Sequence, residues 1–144
     1  MRARCVVPLL ALLALLALTR PAAASVDLGL GADWIEGSHS DLNLTLGVDT
    51  YLAHFFSIGG RAGVAFFEHS DGIVVPVDLK LGLHIQRAYF EGLVGPWMQF
   101  DDGDLFHFHA AFGFGLESRS LAGGLEVGRI EHATMVGLRL AIKL

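Results

Sequence analysis

From Val26 onward, apolar and polar residues alternate with a period of two, and this alternation recurs in eight stretches divided by short turn-like breaks. The stretches are Val26–Trp34, Leu42–Tyr51, Ser57–Glu68, Val74–His84, Tyr89–Phe100, Leu105–Glu117, Leu121–Ile130 and Met135–Leu144. The breaks carry EGSHS, HSDG, DDGD and SRS, the small and polar residues that favour turns. Successive side chains of a strand point to opposite faces, so such alternation predicts strands whose two faces meet different surroundings. Helical spacing fits none of the eight as well, and the breaks are short enough for hairpins.

Sorting the stretches by parity separates two faces. One reads Leu42, Leu44, Leu46, Val48, then Ile58, Ala62, Val64, Phe66, then Val75, Val77, Leu79, Leu81, Leu83, and later Phe106, Phe108, Ala110, Phe112, Phe114, Leu116. The other carries Asp49, Arg61, Asp78, Lys80, Glu91, His107, His109, Glu117, Glu126, Arg139 and Lys143, padded with glycine. A soluble barrel or sandwich buries its apolar face and wets its polar one. A barrel in a membrane does the reverse. Neighbouring hairpins place Asp49 opposite Arg61, Lys80 opposite Glu91 and Glu126 opposite Arg139. Three such pairs suit a narrow interior, where charges must be matched. The lengths agree, since a tilted strand crosses a bilayer in about 9–11 residues. Closure into a barrel leaves no unpaired strand edge in lipid. The alternation of the final stretch therefore has a reason to persist, because that strand must zip against the first.

The N-terminal residues add a destination. Arg2 and Arg4 precede an apolar run from Val6 to Leu18, and Ala22, Ala23 and Ala24 follow it. The run is short of the roughly 20 residues a membrane helix needs, and the pattern is that of a secretory signal peptide cleaved after Ala24. Residues 1–24 are then the signal and 25–144 one domain. Cys5, the lone cysteine, leaves with the signal, so no disulfide staples the exported part. Arg2, Arg4 and Arg20 leave too, which sets seven basic side chains against 15 acidic, a net −8 with histidine neutral. That charge argues against a nucleic-acid partner. The mean hydropathy of +0.52 is high for a soluble secreted domain, and polar residues interrupt every candidate helical span after Ala24.

Together these features resemble the small eight-stranded outer-membrane β-barrels of Gram-negative bacteria, over the whole of Ser25 to Leu144. The resemblance implies an all-β, antiparallel up-and-down transmembrane barrel, apolar outside and polar inside, located in the outer membrane. It further implies outer-membrane lipids and lipopolysaccharide as surroundings and the barrel-assembly machinery as a partner. In that class the last strand carries an assembly signal, apolar at alternate positions and ending on an aromatic, usually Phe. Val136, Leu138, Leu140, Ile142 and Leu144 fill those positions, with Leu144 in place of the aromatic.

Candidate chemistry is sparse. His39, His69, His107, His109 and His132 fall near the rim remote from the termini, together with Asp71, Asp101, Asp102, Asp104 and Glu131. Imidazole and carboxylate suit zinc or copper, and His107, His109 and His69 are the candidates. The loops are short and opposite strand tops lie far apart, so a hydrated polar rim without metal or cofactor is the expectation. Outer-membrane lipid A deacylases place a histidine and a serine two residues apart on one strand. Here His69 and Ser70 are adjacent and point to opposite faces, which leaves no catalytic residue to nominate. Arg129, at the remote end on the lipid-facing parity, could meet a lipopolysaccharide phosphate or turn into water. Pro76 and Pro96 fall inside strands and lack the N–H a closed ladder uses. They predict a bulge or a weakened seam that admits a lipid sideways. An eight-stranded lumen is nearly filled by side chains, which excludes a large pore. The expected role is structural or surface-interacting, with a lipid-modifying enzyme of deacylase or acyltransferase type as the alternative. A soluble secreted barrel carrying an apolar ligand is the rival from another class. It needs Phe106, Phe108, Phe112 and Phe114 to line a cavity.

Overall fold

The computed structural model describes residues 24–37, 39–68, 72–100 and 103–144, and these form one closed sheet. Its strands are β1 (Ala24–Ile35), β2 (His39–Ala53), β3 (Phe56–Phe67), β4 (Ile73–Ile85), β5 (Ala88–Phe100), β6 (Phe106–Glu117), β7 (Leu121–Ile130) and β8 (Ala133–Lys143). Each pairs antiparallel with the next, and β8 returns to β1 from Asp27 opposite Lys143 to Ile35 opposite Met135. Beyond the last ladder pair, Leu144 N–H still donates to Val26 O at 2.8 Å. Each of the eight alternating stretches corresponds to one strand, and the final one does zip against the first. Gly37, Gln86 and Glu131 adopt positive φ in three of the turns. The segment read as a signal peptide falls on residues 1–23, outside those described, save for Ala24, which opens β1.

The apolar face points outward. Leu30, Leu44, Leu79, Val94, Phe112, Val127 and Leu138, spread around the wall, are all exposed. Phe106, Phe108, Phe112 and Phe114 are 60, 60, 51 and 37% exposed, so they face outward and line no interior cavity. A soluble chain rarely exposes more than a few hundred Å² of contiguous apolar surface, whereas this belt encircles the molecule. Trp34, Phe66, Phe100, Phe106 and Phe108 cluster at the end remote from the termini, where an aromatic girdle meets a membrane boundary. Leu138 sits midway along β8 with 63% of its surface exposed. Leu138→Arg is expected to cost about 2–4 kcal/mol in urea titrations from lipid vesicles, and Leu121→Arg, at a strand end, about 0–1. Equal costs at the two depths would contradict a lipid-facing belt.

Bending eight strands into so narrow a cylinder crowds the concave side. Gly115 and Gly124 face each other across β6 and β7, and a Cβ on Gly115 would sit 2.6 Å from Gly124 Cα. Only glycine fits both places. The prolines leave their mark in the ladders. The β3–β4 pairing skips Gly63–Val64 against Val75–Pro76, and the β4–β5 pairing skips Val77–Asp78 against Gly95–Pro96. Register is unchanged on either side of both gaps, so each proline removes pairing without inserting a residue. Pro76 faces the lumen and is buried, whereas Pro96 is on the outer surface.

Candidate functional site in the lumen

The inward parity of all eight strands converges on the barrel axis and forms three layers. The layer remote from the termini is apolar: Ile35, Ala65, Val74, Trp97 and Met135 are each at most 7% exposed, with Phe67, Ala111, Ile130 and Ala133 packed on them. Outside it, Glu36 takes the Thr134 N–H at 3.2 Å, a hydrogen bond that holds its carboxyl below the usual carboxylate range.

The middle layer is ionic and centres on Glu126. Arg61 reaches it with Nη1 at 2.7 Å and Nη2 at 3.2 Å, and Arg139 with Nε and Nη2 at 3.0 Å each. Arg61 also holds Asp78 at 2.8 Å, and Arg139 holds Asp33 at 2.6 Å. His109 Nδ1 lies 2.7 Å from Asp78 Oδ1, and its ring packs on Trp97 with centroids 4.8 Å apart. Asn43 Nδ2 bridges Asp33 and Asp41, which face each other across β1 and β2. Buried guanidinium–carboxylate pairs persist only when further hydrogen bonds satisfy both partners, and here each arginine has two carboxylates. Glycine makes the room. A Cβ on Gly137 would collide with Asp33 Oδ1, and on Gly31 with Asn43 Oδ1 and Arg139 Nη1.

The layer nearest the termini is wetter. Lys80 binds Asp49 at 2.7 Å and Asp27 at 3.4 Å. Glu91 lines the same cavity, a space of about 70 Å³ shared with Tyr51, Tyr89, His84, Glu117 and Lys143. That admits a few waters and no large solute. Beside it runs a chain of three side chains from three strands. Ser57 Oγ is 3.0 Å from His84 Nε2, and His84 Nδ1 is 2.6 Å from Glu117 Oε1. Lys143 Nζ donates to the other oxygen, Oε2, at 2.5 Å.

Asp49, Arg61, Lys80, Glu91, Glu126 and Arg139 thus all face the lumen, but their pairing differs from the hairpin registers expected. Asp49 stands opposite Gly59 and Arg61 opposite Gly47, a shift of two residues that accompanies a bulge between Tyr51 and Ala53. Asp49 is claimed by Lys80, two strands away, and Arg61 reaches across the lumen to Glu126. Lys80 stands opposite Leu93, and Glu91 opposite Gly82. Glu126 and Arg139 do pair, on the diagonal rather than directly across.

The histidines part company as well. His107 and His109 share the inner face, yet His107 is at the rim, 3.0 Å from Glu131, and His109 is sealed within the ionic layer. Among the described residues no three His, Cys, Asp or Glu side chains gather as a metal site. His69, Ser70, Asp71, Asp101 and Asp102 lie outside the described residues. Arg129 turns its Nη2 to the His132 carbonyl at 3.0 Å.

Comparison with known proteins places the fold. No protein-family model matches the sequence, and no curated protein matches it either. Solved structures do. A designed transmembrane β-barrel superposes with a TM-score of 0.69 at 14% identity, over 88% of this chain and 98% of its own. The outer membrane enzyme PagL gives 0.64 at 12%, over 82% and 98%. Ail, the attachment invasion locus protein of Yersinia pestis, gives 0.51 at 13%, over 84% and 97%. The chain has the fold of the eight-stranded transmembrane β-barrels.

Proposed function

We propose that this protein is exported through its N-terminal segment and inserted in the outer membrane of a Gram-negative cell. There it serves as a sealed barrel with a structural or surface-interacting role and not as a pore. The observation that carries this reading is the double closure of the lumen. Trp97 and Met135 plug one end, and the Glu126 cluster bars the middle with a side chain that has no exposed surface. An ion entering the lumen would have to break several charge-assisted bonds at once. The exposed aromatic girdle at the remote rim supports insertion of the barrel in a bilayer. The alternation of Val136, Leu138, Leu140, Ile142 and Leu144 supports recognition by the barrel-assembly machinery, with lipopolysaccharide and outer-membrane lipids around the belt.

Purified protein in a planar lipid bilayer is expected to pass no steady current, while migrating in unheated gels as a compact species that heat converts to a slower one. Recovery from the soluble periplasm without detergent would end the membrane reading. Stable open-channel steps from the folded species would end the sealed-barrel reading.

A further inference from the structure

We infer that Ser57, His84 and Glu117 form a hydrolytic triad that acts on short carboxylic esters entering the lumen from the terminal mouth. This goes beyond the sealed-barrel reading and stands on a different layer of the lumen. Three observations carry it.

The first is connectivity. A triad needs one imidazole nitrogen on the hydroxyl and the other on a carboxylate, which fixes the tautomer and leaves Nε2 as base. His84 meets both conditions, with Ser57 on Nε2 at 3.0 Å and Glu117 on Nδ1 at 2.6 Å. Glu117 is held in turn by Lys143, so the orienting carboxylate is itself oriented. An imidazole placed only to satisfy a core serine needs neither the acid nor the lysine behind it.

The second is the space around the hydroxyl. Gly82 lies directly opposite Ser57 on β4, and a Cβ there would fall on Ser57 Oγ and 2.9 Å from His84 Nε2. The absence of that Cβ lets the strand-borne serine and histidine meet. On the other side Tyr51 stands opposite Ser57 on β2, its ring centroid 5.1 Å from that of His84. Ser57 is only 1% exposed, and the half-buried Tyr51 is its cross-strand neighbour on the inner face.

The third is the cavity on the other side of Tyr51 and His84, bordered by His84, Glu117, Tyr51 and Lys80 and not by the covered Ser57 itself. At about 70 Å³ it takes a short acyl group and excludes a long chain. The Lys80 ammonium is a donor on its wall for a developing oxyanion.

The chemistry balances with water as the only co-reactant. Ser57 Oγ attacks the ester carbonyl carbon as its proton passes to His84 Nε2. The carbon–oxygen ester bond breaks, and Nε2 returns the proton to the departing alkoxide, which leaves as an alcohol. Water then attacks the acyl-serine, giving its proton to Nε2. The carbon–Oγ bond breaks, the carboxylic acid leaves, and the proton returns to Oγ. Glu117 stays ionised throughout as a positioning residue.

The test is covalent labelling of the full folded barrel in detergent micelles with a small fluorophosphonate, read by mass spectrometry, beside hydrolysis of p-nitrophenyl acetate. The adduct is expected on Ser57. Tyr51→Ala should raise the labelling rate several-fold by uncovering the hydroxyl. His84→Ala should lower acetate hydrolysis by about 10²–10⁴-fold, the usual contribution of a general base. Glu117→Gln should lower labelling while the heat-modifiable gel shift persists. A folded barrel that shows no Ser57 adduct, with Tyr51 present or replaced by alanine, would overturn the proposal. So would acetate hydrolysis unchanged by Ser57→Ala. Neither result touches the sealed-barrel reading, which rests on conductance.

Discussion

Replacing Glu126 with alanine is expected to cost the folded barrel about 3–5 kcal/mol, the range for removing one partner of a buried ion pair. The carboxylate has no exposed side-chain surface and accepts four hydrogen bonds, two from Arg61 and two from Arg139. Its loss leaves two guanidinium groups facing each other in a space from which bulk water is excluded. Asp78 and Asp33 still hold one arginine each, so the barrel is weakened and not abolished. The double variant Glu126→Ala with Arg139→Ala should recover part of the loss, because it removes one of the two repelling cations. Recovery stays incomplete, since Asp33 then loses the guanidinium that neutralises it. Urea titration of the refolded barrel, followed by the heat-modifiable gel shift, measures both. Strictly additive effects would show that Glu126 and Arg139 do not interact.

Deleting Ala141 to Leu144 should have the larger effect and abolish insertion outright. Ala141 and Ile142 are laddered on both sides, to Gly29 and Leu28 of β1 and to Ala122 and Leu121 of β7. Lys143 adds its N–H to Ser120 O and its ammonium to Glu117, and Leu144 reaches Val26. Without them the first half of β1 presents bare N–H and C=O groups to lipid, at several kcal/mol each. The truncated chain should therefore appear as a protease-sensitive species with no compact gel form. Leu144→Phe, which restores the aromatic that the outer-membrane class prefers, should assemble at least as well as the native chain. Normal insertion and protease resistance after truncation would remove the closing role assigned to β8.

Much of the fold was legible because parity is local information. Each strand announces its lipid face by itself, as Phe106, Phe108, Phe112 and Phe114 do, and strand identity survives any error in register. The lumen was legible only in part. Its members could be listed, but partners are set by the tilt and stagger of the whole cylinder, which no single hairpin contains. Lys80 finds Asp49 two strands away, and Arg61 finds Glu126 across the axis. The apolar plug was missed because Trp97 and Met135 sit on a parity read as polar further along. The linkage of Ser57, His84 and Glu117 was missed for the same reason as the ion pairs, although Glu117 itself stands on the parity read as polar. The three are 27 and 33 residues apart in the chain, on β3, β4 and β6, and a search for serine and histidine on one strand passes over them.

The two ladder gaps have a mechanical consequence. Around most of the wall, from β5 through β8 to β1 and β2, backbone pairing runs without interruption. Along both flanks of β4 it is broken at neighbouring heights, by Pro76 on one side and Pro96 on the other. A cylinder built this way has one compliant stave. Lateral pressure from the bilayer will flatten it preferentially across that stave, and the strain will concentrate at Val75 to Asp78, beside the Asp78 carboxylate that joins His109 to Arg61.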